Sequence, residues 1–194
     1  MLGYQALLMV FGSRLALGGV LGTKAVAAPS GQFGLYAYGS GIGGAQIFYS
    51  NDVAYVGDQT QTDDDEAAIV LFTTGPNNAL LGNPDTKSGR GIPSWSNKAF
   101  FVPSSTSPSR RVGFTSKTSP SDPPDADADT AGFVFYGATA LHQSADGSLH
   151  DLWYAVPAGP ARTWALQWNV TEAGSGLVPV TLRTVAPALP FRLV

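Results

Sequence analysis

Two histidines, His142 and His150, lie on either side of Asp146-Gly147, which is a turn signal between two candidate strands. With a two-residue turn at that point, His142 lies opposite Asp151 across the hairpin. A carboxylate beside an imidazole is the arrangement of an acid–base pair. We therefore predict His142 and Asp151 as catalytic candidates, although ordinary cross-strand pairs on a sheet surface have the same sequence pattern.

No nucleophile motif accompanies this pair, because the chain contains no Gly-x-Ser-x-Gly sequence. A hydrolase that works with two carboxylates is a further hypothesis. Its candidates are the isolated acids near predicted strands, Asp58, Asp151 and Glu172.

Two acidic clusters, residues 63–66 and 125–129, contain closely spaced carboxylates of the kind that bind calcium. The EF-hand spacing fails, however, because the sixth and twelfth positions counted from Asp125 hold Thr130 and Tyr136. We predict solvated acidic loops, no metal site and no cofactor.

A glycine-rich stretch at residues 39–44 is similar in composition to a phosphate-binding loop. A strand pattern follows it instead of the helix that such a loop requires. We predict a turn between strands there, and a second tight hairpin turn at residues 50–52.

Tyrosine and tryptophan are dense, with 7 Tyr and 4 Trp in the chain. Because side chains alternate along a strand, Tyr36 shares a face with Tyr38, and Trp164 with Trp168. Outward rings can stack on sugars, whereas inward rings line an apolar pocket or fill the core. Our alternation places Tyr36, Tyr38, Trp153 and Trp164 outward, as the predicted ligand-binding residues.

Composition limits the partners and the chemistry. The formal charge is −3, or about −5 without residues 1–27, and Arg110-Arg111 is the only adjacent basic pair. Phosphate contacts need clustered Lys and Arg, so we predict no nucleic-acid partner. Zero cysteines exclude disulfides, thiolate catalysis and Cys-ligated zinc.

The first residues of the chain differ in kind from the rest. Apolar stretches at residues 6–12 and 15–22 precede a small-x-small sequence that ends at Ala27 and suits signal peptidase. Arg14 interrupts the apolar run, which disfavours a stable membrane span. We predict a signal peptide at residues 1–27.

The mature chain, residues 28–194, is therefore expected to be secreted, either extracellular or at the cell surface. Its length fits a single domain. Asn169-Val170-Thr171 is the only glycosylation sequon, so we predict a glycan on Asn169.

From residue 33 onward, short aromatic and β-branched runs alternate with turn residues, giving about eleven candidate strands. No sustained 3.6-residue period is present, so we expect less than about 10% helix. The pattern predicts an all-β fold, an antiparallel β-sandwich or jelly-roll-like structure. Residues 67–74 form the longest apolar run and are predicted to be the most buried strand.

Two long connections rich in Pro, Ser, Gly and Asp interrupt the strands, at residues 75–97 and 117–130. Loops of this length are usually functional or disordered. We predict that residues 117–130 form a flexible loop.

Three stretches resemble small secreted β-rich proteins of filamentous fungi. They are residues 34–58, the sequence Gly-Phe-Val-Phe-Tyr-Gly at 132–137 and the sequence Leu-Trp-Tyr-Ala at 152–155. The resemblance covers most of the mature chain. It implies secretion from a fungal cell and supplies no catalytic residue.

Together these patterns favour a secreted, non-enzymatic surface or extracellular binding protein, whose aromatic face takes a carbohydrate or an apolar small molecule. The alternative is a cofactor-independent cyclase or isomerase that shapes an apolar small molecule in an aromatic pocket. Such catalysis relies on positioning and leaves almost no motif. A closed pocket would favour the enzyme, and a flat aromatic face the binder.

Overall fold

The computed structural model describes residues 28–87, 91–116, 127–159, 162–171, 174 and 176–188. The predicted signal peptide, residues 1–27, lies outside the described residues. So do residues 117–126, which make up most of the predicted flexible loop.

The described residues form fourteen strands. They are β1 (Tyr36–Gly39), β2 (Ile42–Ser50), β3 (Val53–Gly57), β4 (Ala68–Thr74), β5 (Leu80–Pro84), β6 (Lys98–Pro103), β7 (Gly113–Thr115), β8 (Ala128–Asp129), β9 (Phe133–Tyr136), β10 (Thr139–Gln143), β11 (Leu149–His150), β12 (Trp153–Pro157), β13 (Thr163–Trp168) and β14 (Val178–Arg183).

Helical structure in the described ranges is limited to two 3₁₀ turns, Gln59–Gln61 and Pro76–Asn78. The expected all-β class with little helix is therefore confirmed. None of the described residues belongs to a helix with the length and apolar character of a membrane span.

Ten strands pair into a closed antiparallel barrel in the order β1-β2-β4-β5-β6-β7-β3-β13-β12-β14. The ring closes because β14 pairs with β1, placing Tyr36 opposite Arg183. The expected sandwich or jelly roll is thus corrected to a barrel. Alternation along each strand is common to these architectures, whereas the pairing of the first strand with the last, which removes the free edges, is not encoded locally.

Strands β2 and β3 are both members of this ring. They also pair with each other as a hairpin, which connects two parts of the ring. Its turn joins Ser50 to Val53 through Asn51 (φ 48°) and Asp52 (φ 60°). Two positive φ angles are typical of the tight turn that matches strand twist. The predicted hairpin turn is confirmed, and so is the glycine-rich turn, where Gly39 pairs with Ile42.

The predicted connection at residues 75–97 contains a strand, β5, which pairs with both β4 and β6. Sequence reasoning missed this strand because it contains Gly and Pro. Gly82 is required by close packing, since a Cβ at that position would lie 2.8 Å from Val70 Cγ1.

Four strands, β8 to β11, are not part of the ring and pair with it at its strands β6 and β14. Strand β10 pairs with β14, β9 and β11, and β8 pairs with β6. Strand β8 lies at the end of the predicted flexible loop, so that residues 128 and 129 are ordered strand in a region expected to be loop.

The prediction that residues 67–74 form the most buried strand is wrong, because β2 is more buried than β4. Seven of the nine residues of β2 are buried, against three of seven in β4, whose burial alternates. Strand β2 contacts β1, β3 and β4, and Phe48 on it stacks on Tyr55 with the ring centroids 5.4 Å apart.

Aromatic rings in contact form a chain through the core, which we call the ring chain. Successive centroids lie 4.4 to 5.6 Å apart, within the range of favourable ring contacts. Its members in order are Trp95, Tyr49, Phe114, Phe100, Phe133, His142 and Trp168. One end of the ring chain lies near the start of β6 at Lys98, and the other lies by the end of β6 at Pro103.

Candidate functional site

A cleft of about 520 Å³ opens where β6, β10 and β13 end and β12 begins. We refer to it as the cleft. Its walls include Pro103, Arg110, Asp129, His142, His150 and Trp168. These side chains come from separated parts of the chain, and the barrel strands together with β8, β10 and β11 bring them together.

The register of the β10–β11 hairpin differs by one residue from the expected register. Ser144 and Ser148 close a three-residue turn in which Gly147 has a φ of 85°, so His142 lies opposite His150. A three-residue turn with a left-handed glycine shifts the pairing relative to a two-residue turn. The predicted juxtaposition of His142 with Asp151 is therefore wrong.

His142 lies at the base of the cleft and is 5% exposed. Its ring meets Phe133 and Trp168 edge to face, with centroids 5.4 and 5.6 Å away. Its buried Nε2 atom lies 3.3 Å from Oδ2 of Asp129. That distance allows an ion pair when the imidazole is protonated, although the orientation of the two groups is not that of a directed hydrogen bond.

The charged form of Asp129 is favoured in the folded protein. Burial alone would raise the pKa of Asp129, but His142 and the backbone N–H of Ala131 outweigh burial and hold that pKa below its usual value. The Ala131 N–H donates to Asp129 Oδ1 at 3.3 Å. Asp129, rather than Asp151, is thus the carboxylate that accompanies His142.

His150 belongs to a hydrogen-bonded row on the turn. Ser148 Oγ donates to Asp146 Oδ1 at 2.6 Å and lies 2.8 Å from His150 Nε2. Since the hydroxyl proton points to Asp146, the imidazole donates to Ser148. These are the residue types of a hydrolytic triad, but the serine proton goes to the carboxylate instead of the imidazole, so the serine is not activated as a nucleophile.

Hydrogen bonds from the Ser148 side chain and backbone lower the pKa of Asp146. The row therefore stabilises the turn and presents the His150 ring to the cleft. Its role is to shape one wall.

The two isolated acids that the structure describes, Asp151 and Asp58, are each held by neighbouring side chains or backbone groups. Asp151 accepts a hydrogen bond from Thr181 at 3.2 Å, and burial raises its pKa although Thr181 opposes the shift. Asp58 accepts from the Thr60 N–H at 2.9 Å and caps the first 3₁₀ turn. Glu172, the third acid proposed for a hydrolase, lies outside the described residues.

Trp153 was expected to face outward, and the structure corrects this. It is 1% exposed, its indole N–H donates to the Ala140 carbonyl at 3.1 Å, and its ring lies 4.5 Å from that of Trp168. The predicted strand at 149–156 is interrupted after His150, and this break changes which face Trp153 occupies.

The other three predicted ligand-binding rings lie away from the cleft lining and are half-buried. Trp164 packs against the core cluster. Tyr38 donates its hydroxyl to the Val185 carbonyl at 2.8 Å, and Arg183 lies over its ring. Burial raises the pKa of Tyr36. The protein's own residues thus occupy part of the predicted aromatic face.

Asn169, the predicted glycan acceptor, lies at the cleft. It is exposed, has a φ of 48°, and its backbone N–H donates to Leu152 at 2.9 Å. The sequon therefore sits on an accessible turn directly after β13.

The first acidic cluster has a structural role. Asp64 accepts hydrogen bonds from the Ser50 hydroxyl and the Asn51 N–H, at 2.8 and 2.9 Å. Glu66 accepts from the Ser94 N–H at 2.6 Å. Across the described ranges, no group of three His, Asp or Glu side chains is placed to hold a metal ion.

Sequence reasoning missed two cleft residues, Asp129 and Arg110. Asp129 was assigned to a solvated loop, although the alternation of acids from 125 to 129 has the two-residue period of a strand. Arg110 was noted only as half of a basic pair. Its backbone carbonyl accepts from the Trp168 N–H at 2.8 Å, which aligns it with the end of β13.

Comparison with protein-family models, with curated proteins and with solved structures finds no match to this chain.

Proposed function

We propose that the protein is a secreted binding protein that holds a small, hydroxyl-rich ligand such as a sugar in the cleft. The observation that carries the proposal is the convergence of polar groups and an aromatic edge in one cavity of about 520 Å³. Ligand-binding cavities commonly measure about 300–1,000 Å³ and combine apolar walls with a few placed polar groups.

The chemistry of the walls favours hydroxyl groups as partners. Two serine hydroxyls, a carboxylate, an imidazole and an amide supply both donors and acceptors, and these belong to Ser105, Ser144, Asp146, His150 and Asn169. Pro103, Leu152 and Trp168 add an apolar side to the same cavity. A sugar has both kinds of surface, with ring carbons and hydroxyls arranged around them.

The alternative, an enzyme with an apolar aromatic pocket, has less support. The rings of the ring chain from Trp95 to Phe133 pack against one another rather than around a cavity, and only His142 and Trp168 of the ring chain border the cleft. The His142 nitrogen that faces Asp129 is buried, so it is not presented to a ligand. A binding role fits this arrangement better than a proton-transfer role.

Secretion remains part of the proposal. Its support is the apolar N-terminal stretch with Ala25-Val26-Ala27 and the exposed sequon at Asn169. Protein from a eukaryotic secretory host is expected to begin near Ala28 and to lose the glycan mass when Thr171→Ala removes the sequon. N-terminal sequencing and intact mass measure both, and recovery of an uncleaved Met1 in the medium would contradict the proposal.

Obstruction of the cleft tests the binding function. Ser105 is exposed and lines the cleft, whereas Ser96 is exposed and lies outside the cleft lining. Isothermal titration calorimetry is performed with glucose, galactose, N-acetylglucosamine and glucuronate. We expect at least one sugar to bind, S105W to weaken it at least about tenfold, and S96W to leave it unchanged. Failure of all four sugars, or equal binding by both variants, would contradict the proposal.

A further inference from the structure

The charged groups that line the cleft are unequally satisfied. Asp129 has His142 at 3.3 Å and the Ala131 N–H, and Asp146 has both groups of Ser148. Both carboxylates are therefore held by the protein itself, at the edge of the cavity they line.

Arg110 is different. It is half-buried in the wall of the cleft, and among the described residues no carboxylate lies within ion-pair distance of its guanidinium. Its backbone is fixed against Trp168, so the root of the side chain has a defined position. The imidazole of His150 lines the same cavity as Arg110. The cleft thus contains a guanidinium that forms no ion pair with the described carboxylates, Asp129 and Asp146 of the same lining included.

We propose that the ligand of the cleft is an anionic sugar, whose negative group is bound by Arg110. This inference rests on the proposed function, because it specifies the ligand of the same cavity. A planar guanidinium matches a carboxylate with two parallel hydrogen bonds, and hydrogen bonds between charged groups are about twice as strong as neutral ones. A uronic acid presents such a carboxylate beside its hydroxyls, and a sulfated sugar presents the same charge on a sulfate.

The attraction is local. The chain carries a net charge of −3, so its overall field does not draw in an anion. Binding of the charged sugar therefore depends on Arg110 at short range. Added salt is expected to weaken this contact, because ionic strength screens a half-exposed ion pair, and to leave a neutral sugar unaffected.

Arg111 provides a matched control. It is the next residue, carries the same charge and is exposed, but it lines a different surface depression. Arg110→Gln and Arg111→Gln therefore change the net charge equally, but only Arg110→Gln alters the lining of the cleft. Arg110→Lys keeps the charge and removes the planar fork.

The experiment titrates glucose, glucuronate and glucose 6-sulfate into the mature chain and its variants by calorimetry, with melting temperatures as a check on folding. We expect the wild type to bind at least one anionic sugar about tenfold more tightly than glucose. R110Q should remove that preference, R110K should keep part of it, and R111Q should keep all of it. A preference for glucuronate over the sulfate identifies the carboxylate as the recognised group, and the reverse order identifies the sulfate.

Three other results distinguish failure of this inference from failure of the proposed binding function. Equal binding of glucose and both anionic sugars, in wild type and R110Q alike, overturns the inference and leaves the binding function standing. Absence of binding by every sugar overturns both. If R111Q loses the preference as fully as R110Q does, net charge rather than the cleft governs binding, and the inference is again overturned.

Discussion

The two ends of the ring chain differ in what covers them. At the first, which we call the sealed end, the indole N–H of Trp95 donates to the Glu66 carbonyl at 2.8 Å. The Tyr49 hydroxyl donates to Asp52, which also binds the Lys98 ammonium. At the other, which we call the cleft end, the last rings border an open cavity. At the sealed end the aromatic side chains thus contact other residues of the protein. At the cleft end they border a cavity large enough for a ligand.

The electrostatics of the sealed end agree with this difference. Burial raises the pKa of the Tyr49 hydroxyl, with Asp52 adding to the shift and Lys98 opposing it. Burial alone would lower the pKa of Lys98, but Asp52 and Tyr49 outweigh it and raise that pKa. The polar groups of the Trp95, Tyr49 and Lys98 side chains each have a partner within the protein. We therefore expect the sealed end to contribute stability, and the proposed ligand to meet the protein at the cleft end.

The largest expected effect lies between the two ends, at Trp153. Trp153→Ala should cost about 3–5 kcal/mol of unfolding free energy, because it empties a buried ring position and leaves the Ala140 carbonyl without its donor. Denaturant unfolding measures the loss. Trp164→Ala is the matched control, since that ring is half-buried, and should cost about 1 kcal/mol. Equal losses for the two variants would show that Trp153 is not in the core.

At the sealed end, Trp95→Phe keeps a ring and removes the N–H that binds Glu66. We expect a loss of about 1–2 kcal/mol and faster amide exchange in residues 91–97, because the buried carbonyl loses its partner. Hydrogen exchange followed by mass spectrometry gives the second readout. Sugar affinity should stay unchanged. A variant that binds sugar more weakly would break the division between the two ends.

The smallest expected effect is the acid dependence at the cleft end. The folded-state pKa of Asp129 is depressed, so its stabilising contribution is complete above the unfolded pKa of about 3.9 and is lost as the pH falls through the lower folded pKa. Asp129→Asn should therefore be less stable than wild type at pH 6, and the difference should shrink below pH 4. Unfolding curves at several pH values measure it.

Asp127→Asn is the control for that experiment. Asp127 is exposed, and its backbone carbonyl accepts from Ser104, so the substitution keeps that contact. The control should follow the wild type at every pH. An Asp129→Asn curve parallel to wild type would contradict the role of the His142–Asp129 contact.

Local patterns predicted the elements whose cause is local. The turn at Asn51 and Asp52 follows from residues that tolerate positive φ, and the strands follow from alternation. Closure of the barrel depends on Tyr36 pairing with Arg183, which lie far apart in sequence, so no short pattern predicts it. A sandwich and a barrel share the same alternation.

The candidate site was predicted only in part, for the same reason. His142, which the sequence predicted as a catalytic candidate, lines the cleft. Its partner was misassigned because Asp146-Gly147 is compatible with turns of two or three residues, and one residue changes every pair in the hairpin. Asp129 and Arg110 reach the cleft through β8 and the segment before β7, and tertiary structure alone brings Asp129 to His142 on β10 and Arg110 to Trp168 on β13.

We expect ligand to meet the molecule at the cleft end and nowhere on the predicted aromatic face. The four tryptophan indoles report on this directly, because Trp168 lies at the cleft, Trp95 at the sealed end, Trp153 in the core and Trp164 on the flank. Proton–nitrogen NMR of the mature chain, titrated with the sugar that binds best in calorimetry, should move the Trp168 indole and the Asn169 amide while Trp95 and Trp164 stay fixed. Movement of the Trp164 indole with Trp168 unchanged would contradict the account.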